Sequence, residues 1–312
     1  MKCESVAELN ELVRTGRFRE LVRVSEALHE KHYAGISDAV CSTGARAVML
    51  AGPSASGKTT SAHRLATQLR VHGKKPVLLS LDDYYMDRDA IAPGPDGKLD
   101  LEHIDTIDTA LFGVQLAALL GGAQVEIPIF NFKTGRREWV GHTLCLEPDT
   151  VIIVEGLHAL NPKLLPSGID GTEVFRLYVS PEPGLGVDAY TPIPGSFLRL
   201  LRRIVRDHET RGASVQHTLS MWESVRAGER RWITPFRETA DSIFNSATLY
   251  ELPVLKKHSA HLFAAICPED PYYETVSGMV EILALIEEAD VDDEIPPTSL
   301  LREFIGGNSF YR

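Results

Sequence analysis

Short apolar runs recur along this chain and alternate with longer stretches of helical periodicity. Three of the runs have the length and composition of buried strands, namely Ala47–Ala51, Val151–Val154 and Val174–Val179. The run Val151–Val154 is β-branched at every position, which is typical of a strand covered on both faces of a parallel sheet. Since strands that alternate with helices favour such a sheet, the pattern predicts an α/β fold of three layers, with helices on both sides of the sheet.

Apolar positions three and four residues apart predict the helices. In residues 1–44 they recur on both sides of Gly16, and we interpret this region as a helical N-terminal extension of the main domain, residues 45–312. Further helices are predicted at Thr60–Leu69, Thr109–Leu120, Phe197–Thr210 and Tyr273–Glu288. Further strands are predicted at Pro76–Leu81, at Val125–Phe130 with Pro128 inside it, and at Asp241–Leu252. The segment Ala92–Lys98 is rich in proline and glycine and is predicted to be a loop.

The composition narrows the class of protein. Of the 312 residues, 24% are charged and 44% are hydrophobic, which is ordinary for a globular protein, and no apolar run approaches the length of a membrane span. A net charge of −11 argues against a broad surface for nucleic acid or anionic lipid. The first residues do not form a signal peptide, and the four cysteines fit neither a metal nor a disulfide pattern. We therefore expect a cytoplasmic protein without nucleic-acid or membrane partners.

The stretch between the first predicted strand and the helix that follows it carries the most specific chemistry. Gly52–Thr60 fills the template G-x-x-x-x-G-K-[ST]. In such a loop, backbone N–H groups cradle phosphate oxygens, the lysine lies near the outer phosphates, and the hydroxyl after it holds Mg²⁺. The helix that follows turns its N-terminus towards the phosphates, which strengthens the interpretation. We therefore predict a site for ATP or GTP formed by Gly52, Ser54, Ala55, Ser56, Gly57, Lys58, Thr59 and Thr60.

Two of the predicted strands end in carboxylates. The strand Pro76–Leu81 is followed by Asp82 and Asp83, and the strand Val151–Val154 is followed by Glu155. Ligands of open α/β sheets bind at the carboxyl ends of the strands, so these side chains are well placed to act on a ligand. In a phosphate-loop protein, an acidic residue in the position of Glu155 is a candidate for binding Mg²⁺ or its water shell. The alternative is a carboxylate that caps a helix.

The predicted helix Phe197–Thr210 has one apolar and one basic face. Arg199, Arg203 and Arg206 share the basic face. Because the arginine side chain matches the geometry of phosphate, this face indicates an anionic ligand in an otherwise acidic chain. The alternative is a solvated face whose arginines pair with acidic neighbours such as Asp207.

Several motifs follow one another in a particular order. They are the phosphate loop, Asp82-Asp83-Tyr84-Tyr85, Glu102-His103-Ile104-Asp105, Pro128-Ile129-Phe130-Asn131-Phe132, Val151–Gly156 and Arg202–Gly212. Together they resemble the uridine kinase and phosphoribulokinase family of phosphate-loop kinases over Arg46–Leu255, most of the chain. The opening helices and the tail Phe304-Ile305-Gly306-Gly307 are similar to a bacterial subgroup of uridine-kinase-like proteins. The resemblance implies a three-layer P-loop NTPase fold with a mobile helical lid at about residues 197–237.

The resemblance also implies roles for single residues. Asp82 is implied as the base that orients or deprotonates the acceptor hydroxyl, with Asp83 as a second candidate, and Arg211 is implied to contact the nucleotide from the lid. The implied catalytic residues are Asp82, Lys58, Arg203 and Arg206. The implied Mg²⁺ ligands, direct or through water, are Thr59, Glu155 and Asp82. The implied acceptor site comprises Asp82, Tyr85, Glu102, Phe130, Arg136 and Arg203.

Some positions on the acceptor side depart from the family pattern. Uridine-cytidine kinases carry a base-reading histidine where this chain has Gly135, and here Phe130, Asn131 and Ala213 replace a tyrosine, an aspartate and an arginine. Loss of a hydrogen-bonding partner changes the discrimination between acceptors sharply. The residues therefore predict phosphoryl transfer without defining the acceptor.

Two classes of function are compatible with these residues. The first is a Mg²⁺- and ATP-dependent small-molecule kinase, expected to act on the 5′-hydroxyl of a nucleoside, with a sugar phosphate or a pantothenate-like alcohol as alternative acceptors. The second is a catalytically silent, nucleotide-binding regulatory protein that kept the fold. Because relatives are often oligomeric, we also expect a homo-oligomer.

Overall fold

The computed structural model describes residues 3–91, 100–165, 171–182, 184–187 and 190–310. The strands are β1 (Ala47–Ala51), β2 (Lys75–Ser80), β3 (Val125–Glu126), β4 (Ile129–Asn131), β5 (Arg136–Glu138), β6 (Thr143–Leu144), β7 (Thr150–Glu155), β8 (Val174–Ser180) and β9 (Ser242–Asn245). The α-helices are α1 (Val6–Arg14), α2 (Phe18–Thr43), α3 (Lys58–Val71), α4 (Thr109–Leu120), α5 (Gly195–Arg211), α6 (Val215–Trp232), α7 (Glu251–Ala264), α8 (Tyr273–Ala284) and α9 (Arg302–Ile305).

The main sheet contains five strands in the order β2-β7-β1-β8-β9, and all of its pairings are parallel. Successive residues of β1 face opposite sides of this sheet. Val48 and Leu50 join the apolar cluster that contains α3, whereas Met49 joins the cluster that contains α4. The sheet therefore lies between two helical layers, and the predicted three-layer α/β fold is confirmed.

The order of the strands brings the predicted chemistry to one edge of the sheet. The phosphate loop follows β1, Asp82 follows β2, and Glu155 is the last residue of β7, which lies between these two strands. In the register of the sheet, Glu155 is opposite Leu50 on one side and Ser80 on the other. Three functional segments that are far apart in sequence thus meet at adjacent carboxyl ends.

Several predicted elements differ from the structure. The strand predicted at Val125–Phe130 is divided into β3 and β4, because Pro128 lies between them and cannot donate to a ladder. The strand predicted at Asp241–Leu252 is wrong beyond Asn245, since α7 begins at Glu251. The apolar residues from Leu252 onwards lie on a helix and bury their side chains there. A short apolar run in a sequence fits a buried strand and a buried helix equally well, so the pattern alone did not decide between them. The loop predicted at residues 92–98 lies outside the described residues.

Both ends of the described chain pack on the helix that follows the phosphate loop. From α2, the hydroxyl of Tyr33 hydrogen-bonds to Ser61 of α3 at 2.9 Å, and Glu26 forms a 3.2 Å ion pair with Arg64. The other carboxylate oxygen of Glu26 accepts a 2.7 Å hydrogen bond from the hydroxyl of Ser299. The N-terminal helices and the C-terminal segment are thus joined beside α3. Within the described ranges, no helix has both the length and the apolar character needed to cross a membrane.

Candidate active site

The phosphate loop has a backbone that only particular residues allow. Gly57 has φ +89°, and Ala55 is the one described residue other than glycine with positive φ, at +59°. A Cβ atom at Gly52 would lie 2.1 Å from the carbonyl oxygen of Val179, so no side chain fits at this position. Left-handed backbone conformations of this kind occur in loops whose N–H groups form a concave anion-binding site. The geometry supports the sequence-based interpretation of the loop.

A cavity of about 620 Å³ opens beside the loop. Lys58 and Thr59 line it from the start of α3, and Asp82 and Glu155 line it from the ends of β2 and β7. The hydroxyl of Thr59 lies 3.3 Å from Oε1 of Glu155, so a hydroxyl and a carboxylate converge on one point. The amine of Lys58 donates a 3.2 Å hydrogen bond to the carbonyl of Pro53 within the loop.

The charged groups in this cavity shift one another's pKa values. Burial raises the pKa of Asp82, and the nearby Lys58 opposes that shift. Burial and the charge of Asp82 together raise the pKa of Glu155 to about 7. Burial lowers the pKa of Lys58, against the carboxylates of Glu155, Asp82 and Glu303. Clustered, perturbed groups of this kind are typical of catalytic sites and of sites that bind a cation.

The basic face of α5 is buried against the phosphate loop. The guanidinium of Arg199 donates to the carbonyl of Ser54 at 3.1 Å, and Arg203 donates to the Ser54 hydroxyl at 2.9 Å. Arg202 is fully buried, forms two hydrogen bonds with Glu251 and reaches the loop carbonyl of Ala55 at 3.4 Å. The alternative of a solvated arginine face is therefore wrong for these positions, because α5 is attached to the loop.

One carboxylate forms ion pairs with three arginines of α5. Asp207 is 4% exposed. Its oxygens lie 3.3 Å from Arg203, 2.7 Å from Arg206 and 3.4 Å from Arg211. All three arginines also line the cavity. Asp207 therefore holds three cations in one group on the side of the cavity that faces the loop.

Part of the cavity wall is aromatic. Tyr85, Phe130 and Phe132 line it, and their ring centroids lie 5.6, 6.3 and 5.1 Å apart in pairs. The backbone that carries Tyr85 is fixed by Arg137, whose guanidinium donates to the carbonyls of Tyr84 and Tyr85 at 3.2 and 3.1 Å. Such a group of rings is suited to contact with a planar or apolar part of a ligand.

Glu102 also lines the cavity, and it interacts electrostatically with Tyr85 of the aromatic part and with Arg203 of the basic part. Burial raises the pKa of its carboxyl group to about 7, although Arg203 and Lys58 favour the charged form. A Cβ atom at Gly228 of α6 would lie 2.3 Å from the Cβ atom of Glu102. The glycine therefore allows α6 to approach closely enough to press Glu102 against the cavity.

The structure brings together most of the residues that the sequence predicted. The following predicted residues line the cavity: Ser54, Ala55, Gly57, Lys58, Thr59, Asp82, Tyr85, Glu102, Phe130, Glu155, Arg203, Arg206 and Arg211. Gly52, Ser56 and Thr60 belong to the buried backbone around the loop. Asp83, the second candidate base, instead accepts a 3.1 Å hydrogen bond from the backbone of Phe130.

Arg136 is not among the cavity-lining residues of the described chain. Its exposed guanidinium pairs with Asp89 at 2.8 Å on the outer side of the β4–β5 hairpin. Neighbouring residues of a strand face opposite sides, and the inward position belongs to Arg137. The prediction that Arg136 contacts the acceptor is therefore not supported. The sequence of a three-residue strand does not show which of two neighbouring side chains faces inwards.

Gly135, the position that departs from the uridine-cytidine kinase pattern, has φ +69° in the turn of this hairpin. A Cβ atom there would lie 2.5 Å from Cδ of Arg88, and the Arg88 backbone N–H donates to the Gly135 carbonyl at 2.9 Å. Arg88 lines the cavity and takes the space that a side chain at residue 135 would need. No sequence signal pointed to Arg88.

Other cavity residues were also missed. Phe132 is part of the quoted Pro-Ile-Phe-Asn-Phe motif, and its spacing of two from Phe130 on a strand could have identified it. Glu303 enters the cavity from α9, more than 200 residues after the loop, and no local pattern indicates this. The remaining missed residues are Met86, Ile91, Leu101, Gly156, Leu157 and Met221.

Comparison with known proteins agrees with this geometry. Residues 47–252 match the phosphoribulokinase / uridine kinase family. The chain is similar to uridine kinases of Lactobacillus helveticus, with 28% identity over 62% of this chain and 83% of the relative, and of Staphylococcus haemolyticus, with 30% identity over 62% and 84%. A solved structure described as a possible uridine kinase of Bacillus stearothermophilus has 20% identity, covers 67% of this chain and 96% of that chain, and has a TM-score of 0.42.

The matched region contains the phosphate loop, the carboxylates at the strand ends and the arginines of α5. It spans most of the chain, and the site that it encloses has the groups needed for phosphoryl transfer. The chain therefore belongs to the phosphoribulokinase / uridine kinase family and is a phosphotransferase with an alcohol group as acceptor.

Proposed function

We propose that this protein transfers the γ-phosphoryl group of ATP to the 5′-hydroxyl of a nucleoside. The observation that carries the proposal is one cavity lined by the phosphate loop, by the buried carboxylate of Asp82 and by the aromatic group Tyr85, Phe130 and Phe132, in which Asp82 interacts electrostatically with both Lys58 and Tyr85. A phosphate donor fits the first side, and a flat base fits the second. The similarity to uridine kinases supports this choice of acceptor class.

The residues at the loop fit a bound Mg²⁺ ion. Mg²⁺ prefers oxygen ligands, keeps several waters and is usually bound through one or two carboxylates together with phosphates. The Thr59 hydroxyl and the Glu155 carboxylate, 3.3 Å apart, supply two such oxygens, and Asp82 is close enough to raise the pKa of Glu155. Within the described residues, no cluster of three or more His, Cys, Asp or Glu side chains forms a metal cage, which agrees with a metal held partly by phosphates. When bound, Mg²⁺ would neutralise part of the charge that develops on the phosphate groups.

Asp82 is the proposed base. The acceptor oxygen attacks the γ-phosphorus, the bond from that phosphorus to the bridging oxygen breaks, and ADP leaves with the electron pair. The hydroxyl proton passes to the Asp82 carboxylate, whose charged form the nearby Lys58 favours against the effect of burial. Asp83 does not fit this role, because its carboxylate is engaged with the backbone of β4.

The arginines that Asp207 gathers are proposed to stabilise the charge of the transferred group. Arg203, Arg206 and Arg211 line the cavity on the side of the loop, and their guanidinium groups match phosphate oxygens. Because Asp207 fixes them before any ligand binds, little reorganisation is needed during the reaction. Arg203 also lies near Glu102, which we assign to the hydroxyls of the sugar.

The proposal is tested by ADP release from MgATP against pyrimidine nucleosides, purine nucleosides and sugar phosphates, with the products identified by mass. We expect a nucleoside 5′-monophosphate. A product from a sugar phosphate or another alcohol alone would keep the mechanism and change the acceptor. Absence of any product, with ATP binding shown separately, would favour the regulatory alternative and contradict the proposal.

A further inference from the structure

The segment 299–310 lies against the phosphate loop and α3. Leu300 packs on Gly57 so closely that a Cβ atom there would lie 2.6 Å from its side chain. Phe304 lies under the guanidinium of Arg202, at 4.9 Å from the ring centroid. Leu300, Leu301 and Phe304 are buried, and the Ser299 hydroxyl bonds to Glu26. The backbone of this segment is therefore fixed in relation to the loop.

One charged side chain of this segment points at the start of α3. The Oε2 atom of Glu303 accepts a 3.2 Å hydrogen bond from the backbone N–H of Thr60 and a 2.8 Å hydrogen bond from its hydroxyl. The amide of Asn308 also donates to the Thr60 hydroxyl, at 3.3 Å. Glu303 lines the same cavity as Lys58 and Arg211, and its charge acts on both of them.

The N–H of Thr60 is one of the donors that a phosphate loop offers to a nucleotide. Thr60 is the third residue of α3, and the first N–H groups of a helix have no carbonyl partner within it. These groups and the loop together cradle the inner phosphates of a bound nucleotide. A carboxylate and a phosphate oxygen are both anionic acceptors, and two anions in one place repel each other. Glu303 and a phosphate group therefore cannot share this donor without a large cost.

We propose that Glu303 competes inside the protein with the phosphates of the nucleotide. Its carboxylate occupies the N-terminus of α3, neutralises part of the charge of Lys58 and Arg211, and must turn away when a nucleotide binds. Since the backbone of the segment is fixed, the side chain moves and the segment stays. The competition lowers the affinity for ATP and ADP, and so promotes release of product. The inference rests only on the nucleotide-binding part of the proposed function.

The test is calorimetric titration of ADP and of tripolyphosphate, both with Mg²⁺ and without acceptor, into the full chain. The variants are Glu303→Ala and Glu303→Gln, and the control is Glu281→Gln, which removes the same charge from an exposed position of α8. We expect Glu303→Ala to bind both ligands about tenfold more tightly, because a charged hydrogen-bonding competitor is lost. Glu303→Gln should show a smaller gain in affinity for both ligands, and Glu281→Gln should bind them as the wild-type protein does.

The same titrations contain the results that would overturn the inference. Unchanged ADP affinity in both Glu303 variants would exclude competition. Weaker ADP binding with unchanged tripolyphosphate binding would mean that Glu303 contacts the nucleoside instead. If Glu303→Ala is unstable in a thermal melt, Glu303→Gln alone decides, since it keeps an oxygen that can accept from Thr60. A wild-type chain that binds no ADP would contradict the proposed function itself, which separates the two failures.

Discussion

The two sides of the cavity are built in different ways. The nucleotide side consists of backbone groups and buried charges, and its residues are held from several elements, as Ser56 at 0% exposure and Arg203 at 8% illustrate. The proposed acceptor side contains the rings of Tyr85, which follows β2, and of Phe130 and Phe132 at the short β4–β5 hairpin, and Phe132 is 55% exposed. Phosphate binding demands a particular backbone, whereas an acceptor is recognised by side chains that are free to differ. This is why the residues define the type of reaction more closely than the acceptor.

The largest effect is expected where the two sides meet. Asp82→Asn removes the proposed base and should lower kcat at least about a thousandfold, since general-base catalysis contributes up to roughly 10⁴-fold. The Kd for ATP should change little, because the loop is intact. Steady-state kinetics and calorimetry measure the two quantities. Asp83→Asn is the matched control, and a loss of kcat as large as that of Asp82→Asn would mean that neither carboxylate can be singled out as the base.

A smaller effect is expected on the nucleotide side. Asp207→Asn weakens the group that holds Arg203, Arg206 and Arg211, and should lower kcat by roughly 10- to 100-fold, less than direct loss of a charge-stabilising donor. Asp207→Glu should recover part of kcat if the role is to position the arginines. A thermal melt separates this role from a loss of folding. Full activity in Asp207→Asn would show that the arginines need no common partner.

A substitution on the proposed acceptor side should change the KM for the acceptor. Phe132→Ala removes an exposed ring from the aromatic group, and should raise KM for a nucleoside by about tenfold, since one stacked base contributes about 1–3 kcal/mol. The KM for ATP should stay constant, because Phe132 does not belong to the loop. An equal rise in both KM values would contradict the division of the cavity into two independent sides.

The smallest effect concerns pH and stability. Burial raises the pKa of Glu102 from its ordinary value to about 7, so the folded state binds a proton that the unfolded chain has released. The contribution of this group to the stability of the folded state is fully present below pH 4.5, the ordinary pKa of the carboxyl group, and is lost as the pH rises through 7. Between these two pH values, the free energy of unfolding of Glu102→Gln should fall less than that of the wild-type protein, by on the order of 1 kcal/mol. Urea unfolding at several pH values measures the free energy of unfolding of both proteins. The same pH dependence in the two proteins would mean that a group other than Glu102 titrates.

The sequence predicted the elements whose signals are local. The strand β1, the phosphate loop and α3 follow one another, and the helix Thr109–Leu120 has the predicted bounds, with the Asp108 carboxylate accepting from the N–H of Leu111. The ends of β2 and β7 were predicted to within one residue, and the carboxylates at these ends meet because parallel strands share one edge. Periodicity and capping chemistry are sufficient for such elements.

The sequence did not predict features that depend on packing between distant segments. Whether Arg202 of α5 faces water or the interior depends on distant segments, since Glu251 of α7 and Ser246 after β9 are the partners that allow it to be buried. Arg136 and Arg137 differ only in the direction of their side chains, which the register of a three-residue strand decides. Glu303 reaches Thr60 only after the whole fold has brought its segment back to α3. None of these contacts leaves a local pattern.

The meeting of both ends of the described chain beside α3 has a consequence during synthesis on the ribosome. Glu26 is made before the phosphate loop, whereas its partner Ser299 and the neighbours Leu300 and Glu303 of the loop are made more than 200 residues after it. A domain generally folds as a unit, so packing that joins distant segments forms only when both segments have been made. A nascent chain that has reached only α7 therefore carries the complete loop sequence beside an α3 that lacks these contacts, and the nucleotide site is finished only after residues 299–303 have been made.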